Sequence, residues 1–451
     1  MGWLTLSNFA SKIFVFLLVP LYTSVLTPKE YGIYDLSVST VFLMYPILTV
    51  NITDAVMRFS MDKTYSKNMI ALIGIRYILG SIGIAGLFLI IIRYYHLIPD
   101  IQKFEIYIFL YYLTYVLNQF FIQLAKGFER VFDMGIAGLL GTLVMLVINI
   151  LCLLVFKLGL PGFFIANILS QIVPAIYLFC QTKFWKLIIH VKIDHDIHKE
   201  MLIYSLPLIC TTIGWWINSV SDKYVVAFIC GISANGLLSV AYKMPAIINT
   251  LQGIFIQAWQ ISAIKEYGGK DTFNFYGTSF LYLSITMSIA CSILIILSKP
   301  LAHLLYANDF FSAWRYVPFL LISSVLNSAS GFIGPILSAK KDSKSMAMSA
   351  IYGAVINLVL NVVLVYLIGI QGATIATVIS SYVIYSVRKH AASKELKIDF
   401  YRVIIFTWAI LCIQAVVEIY TAYWKIEIIF IAIILWINLY TLRKSFIANT
   451  R

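Results

Sequence analysis

Charge is what this sequence has least of. Asp, Glu, Lys and Arg make up 12% of its 451 residues, about half the share found in an ordinary soluble domain. Such a chain cannot cover itself with polar surface, which excludes a water-soluble globule and makes lipid its solvent. Cysteine is sparse too. Cys152, Cys180, Cys210, Cys230, Cys291 and Cys412 form no CxxC and have no His partner at metal spacing, so they read as small apolar helix residues. No Walker loop, GxSxG or HExxH is present, and no long external loop carries an acidic pair. This argues against nucleotide hydrolysis and soluble-enzyme chemistry, so the expectation is a non-enzyme without metal or cofactor. No cleavable leader is expected either, because the first apolar run is too long and lacks a small-residue cleavage site.

Loops of domain size are missing as well. The largest, 181–200, carries Lys183, Lys186, Lys192 and Lys199 with two Asp, one Glu and three His. His190, His195 and His198 have no matching ligands nearby in sequence, so the segment reads as a solvated linker. The net charge of +13 is spread over short loops and helix ends, with no basic tail, so nucleic acid is not an expected partner.

What the chain has in abundance is apolar runs. A hydrocarbon core about 30 Å thick needs roughly 20 apolar residues of helix. Runs of that length begin near Trp3, Tyr31, Met69, Phe104, Met134, Gly159, Met201, Gly236, Phe273, Trp314, Met346, Gly369, Tyr401 and Ile426. About fourteen spans are therefore expected. Lys and Arg favour the segments reached after an even number of spans by about three to one. That side is assigned to the cytoplasm, and both termini with it.

The runs also repeat. Gly159-Leu-Pro-Gly162-Phe-Phe-Ile165-Ala166-Asn-Ile-Leu-Ser170 matches Gly369-Ile-Gln-Gly372-Ala-Thr-Ile375-Ala376-Thr-Val-Ile-Ser380 at five of twelve positions. Tyr31-Gly32 pairs more weakly with Asn235-Gly236. Six spans separate the copies, so the repeat is parallel. The expected fold is all-α and integral to the membrane, with two six-helix bundles around a central cavity and two extra helices. Residues 1–180 form the first bundle, 181–200 the cytoplasmic linker, 201–390 the second bundle and 391–451 the appended pair with its tail.

Charges inside spans cost about 2.5–3.5 kcal/mol at a lipid-facing helix centre, so they are expected to face protein or water. Lys12, Lys223 and Lys243 lie in the first two spans of the two half-repeats, alongside Asp35, Asp54, Arg58 and Asp222. Arg76 is about two turns into span three. An excess of fixed cations suits an anionic ligand such as a phosphate or pyrophosphate headgroup. Plainer roles exist for several of them. Asp54 and Arg58 stand at i, i+4 and can form a structural ion pair, Arg58 and Arg76 can reach the interface, and Glu418 reads as interfacial. Trp215 and Trp216 read as packing or as a platform for a sugar. Pro20, Pro46, Pro207 and Pro245 interrupt spans one, two, seven and eight, which fits bundles that bend.

Ser7-Asn8-Phe-Ala-Ser-Lys12, followed by Pro20-Leu-Tyr22 and Thr27-Pro28-Lys29-Glu30-Tyr31-Gly32-Ile-Tyr-Asp35-Leu, resembles the first two spans of Wzx-type polysaccharide repeat-unit flippases. These belong to the multidrug/oligosaccharidyl-lipid/polysaccharide exporter superfamily. Ser221-Asp222-Lys223-Tyr224 with Asn235-Gly236-Leu-Leu-Ser-Val-Ala-Tyr-Lys243 is similar to its spans seven and eight. There Lys223 keeps the charge of the family's usual Arg, while Leu238 replaces its usual Tyr. The likeness runs from residue 1 to about 390 and specifies no substrate.

It implies alternating-access transfer of an undecaprenyl-pyrophosphate-linked repeat unit for O-antigen, capsule or a similar glycan. The transfer runs from the cytoplasmic to the outer leaflet of a bacterial inner membrane, next to polysaccharide polymerase and chain-length machinery. Lys12, Lys243, Lys223, Arg58 and Arg76 are then the candidate substrate-binding residues. Asp222 and Asp54 are candidates for coupling to protons or sodium, with membrane potential alone as the other source of drive. A lipid II flippase and an ion-coupled drug exporter of the same superfamily stand as alternatives. A polysaccharide polymerase would need a larger external loop than the one near Lys299–Arg315.

Overall fold

The computed structural model describes residues 16–62, 64–95, 102–188, 194–269, 272–393, 401–421 and 424–449. Among these the chain is helical without strands, and twelve helices are long and apolar enough to cross a membrane. Two compact units divide it, Met1–Val220 and Ser221–Arg451.

The first unit contains α1 (Val19–Val25), α2 (Pro28–Leu48), α3 (Ile52–Ser60), α4 (Lys67–Tyr95), α5 (Glu105–Gly127), α6 (Val131–Ile150) and α7 (Gly159–Gln181). It also holds most of α8 (His195–Cys230). Span two starts where local chemistry dictates. Thr27 and Glu30 form a reciprocal capping box, with Pro28 in the first turn, so two orphan N–H groups are satisfied where the helix opens. Behind this start Tyr22 stacks on Tyr31 with centroids 5.0 Å apart, and Phe163 of α7 meets Tyr34 at 4.5 Å. The aromatic residues of the opening motif therefore fix α1 and α2 against α7 by packing.

Span two is not one continuous helix. After Pro46 the chain turns left-handed at Val50 (φ 55°) and Asn51 (φ 50°), then resumes as α3. Span five ends in a π-helical turn, Leu151–Val155. In the described part of the expected linker, one helical turn spans Phe184–Leu187, and α8 begins at His195. Two tyrosines hold the start of α8. The Tyr77 hydroxyl pairs with His198 Nε2 at 2.7 Å, and the Tyr65 hydroxyl donates to Glu200 at 2.9 Å. His198 is thus engaged by Tyr77, and His190 lies outside the described residues.

The second unit continues with α9 (Ile232–Ala241), α10 (Pro245–Lys265), α11 (Thr272–Ile296) and α12 (Ser298–Leu305). A 3-10 segment, Asn308–Tyr316, then leads into α13 (Val317–Ala339). The unit ends with α14 (Ser343–Ile368), α15 (Ile370–Ala391), α16 (Tyr401–Tyr420) and α17 (Trp424–Asn449). Span eight is interrupted at 242–244, ahead of Pro245, where the ring removes a ladder N–H. The core centres on Trp259, which stacks on Phe332 at 4.0 Å and donates its indole N–H to the Phe332 carbonyl at 2.8 Å. Large apolar side chains such as Leu87, Phe228 and Tyr366 stand exposed, as lipid-facing helices require.

The glycine repeat has one structural role in both units. Gly159 (φ 57°) and Gly369 (φ 64°) occupy the left-handed region at the tight turns before α7 and α15, a conformation costly for other residues. Three residues on, Gly162 packs where a Cβ would lie 2.9 Å from the Cys152 Cβ. At Gly372 a Cβ would overlap the Leu364 carbonyl. The sequence match at an offset of 210 is therefore a match of turn and of helix-to-helix approach.

Candidate functional site

In the first unit the polar groups of span two gather at its break. Asp54 sits in the first turn of α3 and accepts from Asn51 Nδ2 at 2.9 Å and from Gln123 Nε2 of α5 at 2.9 Å. The i, i+4 ion pair with Arg58 is not formed: both Asp54 oxygens accept from amides, and Arg58 is exposed. Arg58 lies toward Asp62, whose carboxyl is held below the usual carboxylate range by donors on Thr64 and, more weakly, by Arg58. Arg76 is on the exposed face of α4. Lys12 lies outside the described residues.

Farther along α5, Asn118 Nδ2 donates to Gln171 of α7 at 2.6 Å. This pair borders a cavity of about 220 Å³ that Gly138, Gly141, Thr142 and Ser170 also line. Asn118 Oδ1 is buried there without a partner. The Tyr34 hydroxyl donates to Asn167 at 2.7 Å. The result is a polar seam of amides and hydroxyls along α5 and α7, inside otherwise apolar helices. Sequence reading missed it, because it weighed charges and passed over Asn and Gln. Trp216 is spent on packing, its indole N–H donating to the Ser39 carbonyl at 2.8 Å, while Trp215 is exposed.

The second unit has its own polar centre. Asp222 is buried at 4% exposure. Tyr242 donates to one of its oxygens, and the Lys223 backbone N–H to the other at 2.9 Å. Burying an ionised carboxylate costs several kcal/mol unless such donors replace water. Tyr242 and Lys243 both belong to the interruption at 242–244, so the break in span eight supplies the hydroxyl that stabilises the acid of span seven. Lys223 and Lys243 are half-buried. Beside them, Ser221 donates to Asn357 at 3.4 Å, Asn361 to Asn357 at 2.9 Å and Asn357 to Ser380 at 3.2 Å. The structure thus brings Asp222 to the interruption that carries Lys243.

Two further charged groups of this unit are buried or half-buried. Arg388 lies in the last turn of α15. It donates to Ser349 Oγ and to the Ser330 carbonyl, both at 3.0 Å. Glu418, two residues from the end of α16, is buried at 3% exposure. Nearby, Gln414 joins Ser292 Oγ (2.8 Å) to Glu427 (2.8 Å), tying α16 and α17 to α11. A sequence signal existed for these two acids, since both interrupt apolar runs.

These centres consist of acceptors, amides and cations in low-dielectric surroundings, which is equipment for recognising a polar ligand. Residues 1–260 match the family described as polysaccharide biosynthesis protein. The chain belongs to that family. A curated relative, the "Probable low-salt glycan biosynthesis flippase Agl15" of Haloferax volcanii, is 25% identical over 212 residues. The match spans 45% of this chain and 43% of that protein, so the chain spans less than half the length of this relative.

The solved "Lipid II flippase MurJ, inward closed conformation" superposes with a TM-score of 0.68 at 14% identity, covering 99% of this chain and 100% of that one. An inward-facing multidrug resistance MATE family transporter of the MOP superfamily gives 0.66 at 14% identity, covering 87% and 95%. This family member therefore has the all-α fold of those transporters and is a multi-pass membrane protein.

Proposed function

We propose that this chain is a flippase for lipid-linked oligosaccharides, moving undecaprenyl-pyrophosphate-linked repeat units from the cytoplasmic to the outer leaflet of the inner membrane. The observation that carries the reading is membership of the polysaccharide biosynthesis family over residues 1–260. The likeness to a glycan biosynthesis flippase supports it.

Residues 1–180 and 201–390 act as the two halves of an alternating-access pair, joined by 181–200. Lys12, Lys223 and Lys243, assisted by Arg58 and Arg76, bind the pyrophosphate, which needs fixed positive charge where water is scarce. Asp222 and Asp54 are the acids through which protons or sodium drive the cycle. Both termini face the cytoplasm, in keeping with the Lys/Arg bias of the loops.

The deciding experiment is deletion of the gene followed by mass spectrometry of lipid-linked sugars. Accumulation of a lipid-linked repeat unit, with normal growth and lost surface glycan, supports the reading. Loss of viability with accumulated lipid II overturns it in favour of a peptidoglycan precursor. At the level of residues, Lys223→Ala and Lys243→Ala should each lower surface glycan at unchanged protein level, and normal glycan in both would refute the cationic site.

A further inference from the structure

Where α16 meets α17, two acids stand that the proposed transport cycle does not use. Glu418 lies two residues before the end of α16, and Glu427 is in the first turn of α17. Both are buried, Glu427 completely. One Glu427 oxygen accepts from Gln414 Nε2 at 2.8 Å, and the other is buried with no hydrogen-bond partner. Gln414 and Glu418 stand at i, i+4 on α16, so they share a face, with Cβ atoms about 5–6 Å apart. Glu427, bonded to Gln414, therefore lies against the face that carries Glu418.

Neither acid forms an ion pair among the described residues. Lys299, at the start of α12, is the cation whose charge reaches Glu418, but it stands over the Trp314 ring at 5.4 Å. Lys425 is exposed over the Trp424 ring at 5.9 Å. The helices packed on this pair, α11 and α13, carry no Asp, Glu, Lys, Arg or His. Of their thiols, Cys291 of α11 lies near Cys412 of α16.

Two neighbouring buried carboxyls cannot both ionise without like-charge repulsion and the loss of their water. The free Glu427 oxygen is enclosed, so its ligand is the one cation that needs no cavity. We infer that Glu418 and Glu427 hold a proton between them and form a proton-binding site at the junction of α16 and α17. Gln414 fixes the arrangement. Its Oε1 accepts from Ser292 Oγ of α11 at 2.8 Å, which turns its N–H group toward Glu427. The Glu427 oxygen it meets is an acceptor, and the free oxygen carries the proton.

The same contacts link the proton to docking. With the proton bound, one negative charge is absent from the junction of α11, α16 and α17. Its release to water leaves two carboxylates there and loosens the start of α17. The bound proton thus stabilises the docked pair, and that contribution is lost as pH rises. Nothing in this depends on what the protein transports.

The test uses the purified full-length chain in nanodiscs, with infrared spectra recorded as pH is raised from neutral to alkaline. The unmodified chain should show the carbonyl band of a protonated carboxylic acid at neutral pH and lose it in base. Absence of that band at neutral pH overturns the proposal without recourse to any variant. The double variant Glu418→Gln with Glu427→Gln should lack the band, and a band of equal strength in it overturns the assignment to these two acids. Glu266→Gln, at an exposed acid just beyond α10, should leave the band unchanged, and its loss there also overturns the assignment. Hydrogen exchange, corrected for its intrinsic pH dependence, reads the docking. Protection at the start of α17 should fall several-fold in base in the unmodified chain and stay constant in the double variant. Equal pH dependence in the two overturns the link between proton and docking.

Discussion

Gly372 lies so close to the end of α14 that a Cβ on it would overlap the Leu364 carbonyl and stand 2.6 Å from the Val365 nitrogen. Both obstacles are backbone, which cannot rotate away. Gly372→Ala should therefore destabilise the second unit by about 2 kcal/mol or more, seen as a lower melting temperature in detergent. Gly162→Ala meets the Cys152 and Leu158 Cβ atoms at 2.9 Å and should cost less, with the Cys152→Gly background, which removes one of those atoms, tested beside it.

The Tyr242–Asp222 bond gives a second expectation. Tyr242→Phe removes the hydroxyl donor from a buried carboxylate, which should cost about 1–3 kcal/mol. Asp222→Asn in the same background should recover part of that loss, because a neutral amide no longer needs the donor. A double-mutant cycle on thermal stability reads the coupling, and additive effects would show that the bond contributes nothing.

Arg388 should behave as a structural clamp on α13 and α14. Its donations to Ser330 and Ser349 are charge-assisted, so Arg388→Met should lower stability by about 1.5–3 kcal/mol. Arg388→Lys, which keeps the charge but not the planar fork, should recover only part of it. Full recovery by Lys would mean that the geometry of the guanidinium is irrelevant.

The capping box makes a local prediction. Thr27→Ala removes the acceptor for the Glu30 N–H and should cost about 1 kcal/mol, with loss of hydrogen-exchange protection confined to the first turn of α2.

Asp342 caps α14, and donors on Ser345 hold its carboxyl below the usual carboxylate range. A depressed pKa stabilises the folded form above the unfolded value near 4 and loses that contribution as pH falls through the folded value. Protection of the Ser345 amide should thus be constant from about pH 5 to 8 and fall in stronger acid. Asp342→Asn should show no such acid transition.

The spans were legible because their length is dictated by the bilayer. Apolar runs beginning near Phe104, Gly159 and Tyr401 emerge as helices starting at Glu105, Gly159 and Tyr401. Gly159 and Gly369 were legible because a repeat exposes them. The breaks at 49–51 and 242–244 were not, since Pro46 and Pro245 only permit a break. Whether one forms depends on partners such as Gln123 for Asp54 and Asp222 for Tyr242, both remote in sequence. For the same reason the charge-based list of site residues overlooked Asn118, Gln171 and Asn357. Amides carry no formal charge and disappear into apolar runs, yet once buried they require partners as strictly as a lysine does.

The π-turn at Leu151–Val155 has a consequence of its own kind. It holds one residue more than an α-helical turn requires, and Cys152, where Gly162 packs, lies within it. The phase of that contact is set by chain length. Removing a single codon between Leu151 and Val155 would close the π-turn into an ordinary α-turn, shifting Cys152 against α7 while the flanks stay nearly in phase, whereas the same deletion in a regular helix would rotate one flank by about 100°. The junction is therefore tuned by insertion and deletion, a class of change that scanning by substitution never samples.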